Sequence, residues 1–118
     1  MYGLPQGVDL SFLVGKELIQ VGVGSCDIVL AFDGQLSISI QTTVYHSKKG
    51  KPLAAYEVGP SSAGVLLPLL RSAITQFTAN QEGTLNMTFS NGECVEIRDE
   101  DTHYECYQIE HEGSLIVV

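Results

Sequence analysis

The stretch Leu85-Asn86-Met87-Thr88-Phe89-Ser90-Asn91-Gly92-Glu93-Cys94-Val95-Glu96-Ile97 decides the fold. Side chains alternate between the two faces of a strand, so residues that pair across a hairpin share a face. Leu85, Met87 and Phe89 are apolar at odd positions, and so are Val95 and Ile97. A two-residue Asn91-Gly92 loop would pair Phe89 with Cys94 and set an apolar face against a polar one. The three-residue loop Ser90-Asn91-Gly92 instead pairs Met87 with Val95 and Leu85 with Ile97. Its third residue must be left-handed, a conformation glycine adopts without a Cβ penalty.

Similar punctuation recurs at Phe32-Asp33-Gly34, Lys48-Lys49-Gly50, Gln81-Glu82-Gly83 and His111-Glu112-Gly113. The same parity pairs Phe77 with Met87 around Gly83, and Ile109 with Leu115 around Gly113. Around Gly34 it pairs Leu30 with Leu36 and Ile28 with Ile38. Three-residue loops ending in a left-handed glycine are expected most firmly at Gly83, Gly92 and Gly113.

Working outward, strands are expected at about 17–23, 26–32, 35–46, 52–58, 74–80, 84–90, 93–98, 104–110 and 114–118. Asp9 is placed to cap a short turn over Leu10 to Leu13, which Gly15 ends. Gly59-Pro60-Ser61-Ser62 breaks the strand pattern, and Ser61 or Ser62 would cap a short helix near 63–71. Pro68 requires that helix to start late or to kink. The whole is mainly β: an antiparallel meander of about nine short strands, as a two-layer sandwich, roll or partly closed barrel. One domain of 118 residues is expected. Its pseudo-repeat halves are about 16–59 and 73–118. Leu18 and Val21 fall over Ile74 and Phe77, and Ile28-x-Leu30-x-Phe32 over Leu85-x-Met87-x-Phe89. Gly34 falls over Gly92 with one residue inserted at the second turn. The apolar end Leu115 to Val118 is expected as a paired strand, or as an edge covered by a second copy in a homodimer.

Composition excludes several classes. The formal net charge is −8, and eight of the 14 acids lie in 93–112, with Arg98 the one basic residue among them. Such a field repels phosphate, so no nucleic acid is expected as a partner. It suits a basic protein partner, or self-association through the hairpin tip Lys48-Lys49-Gly50-Lys51. No leader or membrane span is visible, since the longest apolar stretch, 63–70, is interrupted by Pro68. The expectation is a cytoplasmic protein without membrane attachment. Cys26, Cys94 and Cys106 fit no metal spacing, and Cys26 and Cys94 are placed on strands as small hydrophobes.

The densest polar constellation is Asp99-Glu100-Asp101-x-His103-x-Glu105, taken as the candidate binding segment. Its spacing is not that of a calcium loop, and no metal or cofactor is expected. Cys106, His103 and Asp101 suggest nucleophile, base and orienter, but on an extended strand 106 points away from 101 and 103. No catalytic residue is assigned. Glu105 shares a face with Tyr107 and Ile109. It is therefore expected to be a hydrogen-bonded acceptor at a sheet margin, for backbone N–H groups or Arg98. His46 and His111 lie near turns and are expected to be solvated.

Gly3-Leu4-Pro5-x-Gly7-x-Asp9-Leu10-x-Phe12-Leu13-x-Gly15-x-Glu17-Leu18, the Phe-Asp-Gly turn, Gly83-Thr84-Leu85-x-Met87-x-Phe89-x-x-Gly92 and Tyr104-Glu105-Cys106-Tyr107-Gln108-Ile109 together resemble a bacterial family of small all-β proteins without an established activity. Cys106 stands where that family's pattern has Ser. The resemblance implies the fold and no mechanism, and some proteins with similar strands look like immunity partners of bacterial toxins. The leading functional expectation is a non-catalytic protein-interaction module. A small metal- or cysteine-dependent enzyme built on 99–106 and an architectural homo-oligomer are the alternatives.

Overall fold

A computed structural model of the chain describes residues 3–101 and 104–118. Among the described residues ten strands form: β1 (Leu18–Val23), β2 (Ile28–Phe32), β3 (Leu36–Ile40), β4 (Val44–Ser47), β5 (Ala54–Tyr56), β6 (Ile74–Ala79), β7 (Leu85–Phe89), β8 (Cys94–Ile97), β9 (Tyr107–His111) and β10 (Ser114–Val117). They make two antiparallel five-stranded sheets, ordered β1-β2-β3-β9-β10 and β5-β4-β8-β7-β6. Buried residues from both sheets join one cluster, with the Phe32 and Phe89 rings 6.4 Å apart. The fold is mainly β, with no closed barrel.

The tenth strand arises because the expected run 35–46 breaks at Gln41-Thr42-Thr43. The chain there leaves the first sheet and enters the second. The Gln41 amide, on leaving its ladder, donates to the Cys106 carbonyl at 2.8 Å. Each three-stranded meander is thus followed by a hairpin that belongs to the opposite sheet: β4–β5 pairs with β8, and β9–β10 pairs with β3.

The pairings Met87 with Val95, Leu85 with Ile97 and Phe77 with Met87 form as expected. Gly83 (φ 101°) and Gly92 (φ 89°) are the left-handed last residues of three-residue loops. Two hairpins differ. Around Gly113 the loop is the two-residue Glu112-Gly113, left-handed at both positions (φ 50° and 87°), as a primed hairpin turn requires. Ile109 therefore pairs with Ile116, and Leu115 turns outward, 55 % exposed. Parity failed there because Leu115 to Val118 is apolar throughout and carries no alternation. Around Gly34 the loop Asp33-Gly34-Gln35 closes Phe32 on Leu36, so Leu30 pairs with Ile38 and Ile28 with Ile40. The face was right and the register wrong by two, since parity fixes a face and not a register. That loop has as many residues as Ser90-Asn91-Gly92, so no insertion separates the two turns; the glycine has moved by one position within the loop.

The helix α1 (Pro60–Leu66) starts earlier than expected, after Gly59 (φ 142°) rather than at Ser61 or Ser62. Ser62 Oγ accepts the Gly59 amide at 3.1 Å, and Pro60 takes the first position, where its missing N–H costs nothing. Leu67–Leu69 continues as a 3₁₀ turn, so Pro68 never enters an α-helical interior. At the other end, Asp9 Oδ1 accepts the Ser11 amide at 2.9 Å where the 3₁₀ turn Ser11–Leu13 begins. Cys26 is exposed in the turn after β1 rather than on a strand, while Cys106 is buried.

With the ten strands counted cyclically, so that β1 follows β10, adding five to each number converts one sheet order into the other. The hydrogen bonds follow suit at a spacing of 56 residues. Leu18 N donates to Ser72 O and Ile74 N to Lys16 O, each at 2.9 Å. Gly15 N donates to Ile74 O at 2.7 Å and Arg71 N to Leu18 O at 2.8 Å. The ladders are interrupted alike, between Leu18 and Gln20 and between Ile74 and Gln76. Arg71 (φ 72°) even takes the left-handed conformation of Gly15 (φ 89°). Past the β6–β7 turn, longer than its β1–β2 counterpart by one residue, the spacing becomes 57. There Asp33 N donates to Glu17 O at 3.0 Å and Ser90 N to Ala73 O at 2.8 Å.

Candidate functional site

The crossover from β8 to β9 carries the acidic constellation, and its carboxylates accept hydrogen bonds from several elements. Asp99 Oδ2 accepts the Gly3 amide at 2.7 Å, and its Oδ1 accepts the Cys106 thiol at 3.3 Å. Glu100 Oε1 accepts the Tyr45 hydroxyl of β4 at 2.6 Å, which raises the Tyr45 pKa. Asp101 Oδ1 accepts the Tyr104 amide at 3.1 Å, while its own amide donates to Cys106 Sγ at 3.4 Å. Asp99 and Asp101 thus gather at Cys106, whereas Glu100 turns to β4. His103 lies outside the described residues.

Glu105 is half-buried and accepts Gln108 Nε2 at 2.7 Å. It is the expected acceptor, but its partner is a neighbouring amide side chain rather than Arg98. Strand β9 begins at Tyr107, so the alternation used to place Glu105 inward does not extend to it. Arg98 instead bonds Glu96 Oε2 at 2.6 Å and lies over the Tyr45 ring at 3.8 Å. Tyr107 fastens the seam: its buried hydroxyl donates to Gly83 O at 2.8 Å, and burial pushes its pKa well above the usual tyrosine range. A Cβ on Gly83 would come within 2.6 Å of Asp99 Cβ, so this approach of the β6–β7 loop to the crossover requires glycine. Among the described residues no three His, Cys, Asp or Glu side chains converge as a metal would need.

A second polar site lies beneath the β4–β5 hairpin. His46 was expected in solvent but is 5 % exposed, because it shares the parity of buried Val44. Its Nε2 meets Glu93 Oε1 at 2.5 Å, and the Glu93 side chain is only 14 % exposed. Asn91 fixes that carboxylate: its Nδ2 donates to Glu93 Oε2 at 2.8 Å, and its Oδ1 accepts the Glu93 amide at 2.9 Å. The Tyr56 ring stands edge-on to His46, with centroids 6.5 Å apart. His46, Glu93 and Tyr56 border a cleft of about 450 Å³ that Lys48, Lys51, Gly64 and Pro68 also line. The size is that of a small-molecule pocket.

The other half shows what the fold itself requires at this place. His46 is paired with Val95 as Ile109 is paired with Ile38. Glu93 precedes Val95 by two residues as Leu36 precedes Ile38. The positions of His46 and Glu93 are thus those of Ile109 and Leu36, both buried and apolar. Pro68 falls at the position of Phe12, whose ring stacks flat on His111 at 4.1 Å. Sequence reading missed the His46–Glu93 pair. Its signal was the spacing Val44-x-His46, which puts both side chains inward on a strand.

Among the described residues no helix is long and apolar enough to cross a membrane. No curated protein and no solved structure matches the chain. One family model matches residues 10–118, nearly its whole length, and on that match the chain belongs to DUF6188, a family of unknown function.

Proposed function

We propose that the protein is a non-catalytic interaction module whose β8–β9 crossover receives a basic protein partner. One observation carries this reading. Eight acids and one base in 93–112 leave six acids and five bases elsewhere, so −7 of the formal −8 is concentrated there. The described carboxylates of the crossover, Asp99, Glu100, Asp101 and Glu105, each accept a hydrogen bond, so their part of this charge is held in place. A preorganised charge of one sign steers an oppositely charged partner and loses less entropy when it docks. A cationic toxin is one partner of this chemistry.

A second reading, self-association, draws on Leu115, which is 55 % exposed on the edge strand β10. The test for both is capture from native cells at low salt, beside light scattering of the purified chain. A basic partner should be recovered by the native chain and lost with Glu100→Lys plus Glu105→Lys. Equal recovery by both would refute the acidic crossover as the contact, and a dimeric mass without any partner would favour association across β10.

A further inference from the structure

We infer that the cleft beneath the β4–β5 hairpin is a binding site for a small organic anion, a molecule bearing a carboxylate or phosphate group. The inference stands apart from the protein-partner reading, since it concerns the cleft under β4–β5 and not the carboxylates of the β8–β9 crossover.

Three observations carry it. The first is a polar pair where the fold tolerates an apolar one. Burying His46 against Glu93 costs desolvation that Ile109 and Leu36 avoid at the equivalent positions. A buried ionisable pair where the equivalent positions are apolar, with no demand from the backbone, marks a site of use.

The second is the direction of the unused ring nitrogen. His46 Nε2 bonds Glu93, and among the described residues no buried side-chain nitrogen or oxygen lacks a partner. No hydrogen bond is made at Nδ1, so that atom is not fully buried, and His46 lines the cleft. Glu93 holds Nε2, which leaves the second ring nitrogen for a ligand; in the imidazolium form that nitrogen is a donor.

The third is charge. Lys48 and Lys51, two of the six basic residues of a chain at −8, stand at the rim. The ion pairs among the described residues are His46–Glu93, Arg98–Glu96 and His111–Glu112, so neither lysine is neutralised. Glu93 also lines the cleft, but its carboxylate is engaged by His46 and Asn91, and the two lysine ammonium groups outnumber it. An anion there would meet His46 from the wall and the two lysines from the rim, with Tyr56 beside it.

The experiment is an NMR titration of the histidine ring resonances in the full chain with inorganic phosphate and with citrate, against chloride at matched ionic strength. A saturable shift of His46 is expected, with His111 unmoved. In Lys48→Ala with Lys51→Ala, surface changes that leave the core intact, the affinity should weaken by about tenfold or more. In His46→Ile with Glu93→Leu, calorimetry with the same anions should show no binding. The inference is overturned if neither anion shifts His46 saturably. It is equally overturned if the shift persists unchanged without the lysines, or if His111 moves alike.

Discussion

The hairpins β4–β5 and β9–β10 enter the molecule in the same way and cover different interiors. Each leaves its own meander and pairs with the third strand of the other. Beneath β9 lie Ile109 and Leu36, with Phe12 stacked on His111. Beneath β4 lie His46 and Glu93, with Pro68 beside an open cleft. Backbone hydrogen bonds and ladder irregularities agree between the halves, so the polar pair is not imposed by the chain path. The fold is a repeated frame, and the two junctions between its halves differ in the side chains they bury.

The sharpest test of that equivalence is in the core. Leu13 and Leu69 occupy matching positions in the two 3₁₀ turns, and both are fully buried. Leu13→Ala and Leu69→Ala should each cost about 2–5 kcal/mol in urea denaturation and agree within about 1 kcal/mol. A larger gap would mean that the halves share a shape but not an energy balance. The next effect tests the departure itself. Glu93→Leu alone strands His46 and should cost about 1–3 kcal/mol by the same measurement. His46→Ile with Glu93→Leu copies the apolar pair of the other half, and should be neutral or stabilising by up to about 4 kcal/mol. A double variant as unstable as the single one would make the pair a structural requirement. The smallest effect concerns the left-handed residue after each 3₁₀ turn. Arg71→Gly relieves a strain of about 1–2 kcal/mol and loses part of it to unfolded-state freedom, for a net gain below about 1 kcal/mol in thermal unfolding. Gly15→Ala, whose Cβ would meet nothing within 4 Å, should cost about 1–2 kcal/mol through the backbone alone.

Legibility from sequence followed alternation. Leu85 to Ile97 alternates cleanly, and its pairing was readable to the residue. Leu115 to Val118 does not alternate, and the register of β10 was lost with it. The carboxylates of 99–105 stood out by their density, and the structure shows each of the described ones, Asp99, Glu100, Asp101 and Glu105, accepting a hydrogen bond. His46 and Glu93 were overlooked because each looks ordinary alone: a histidine near a turn and one acid among many. They lie 47 residues apart in the chain, His46 on β4 and Glu93 just before β8, and only the pairing of those strands brings them together.

By itself, the sequence determined the faces of the strands, the left-handed turns at Gly83 and Gly92, and the position of the acidic charge. These are local properties, set by side-chain period, by glycine's freedom at positive φ and by composition. Tertiary structure decided that the hairpins cross between sheets, that Cys106 lies between Asp99 and Asp101, and that His46 meets Glu93 over a cleft. Those outcomes depend on contacts between segments far apart in the chain, which form only where two layers bury a common core.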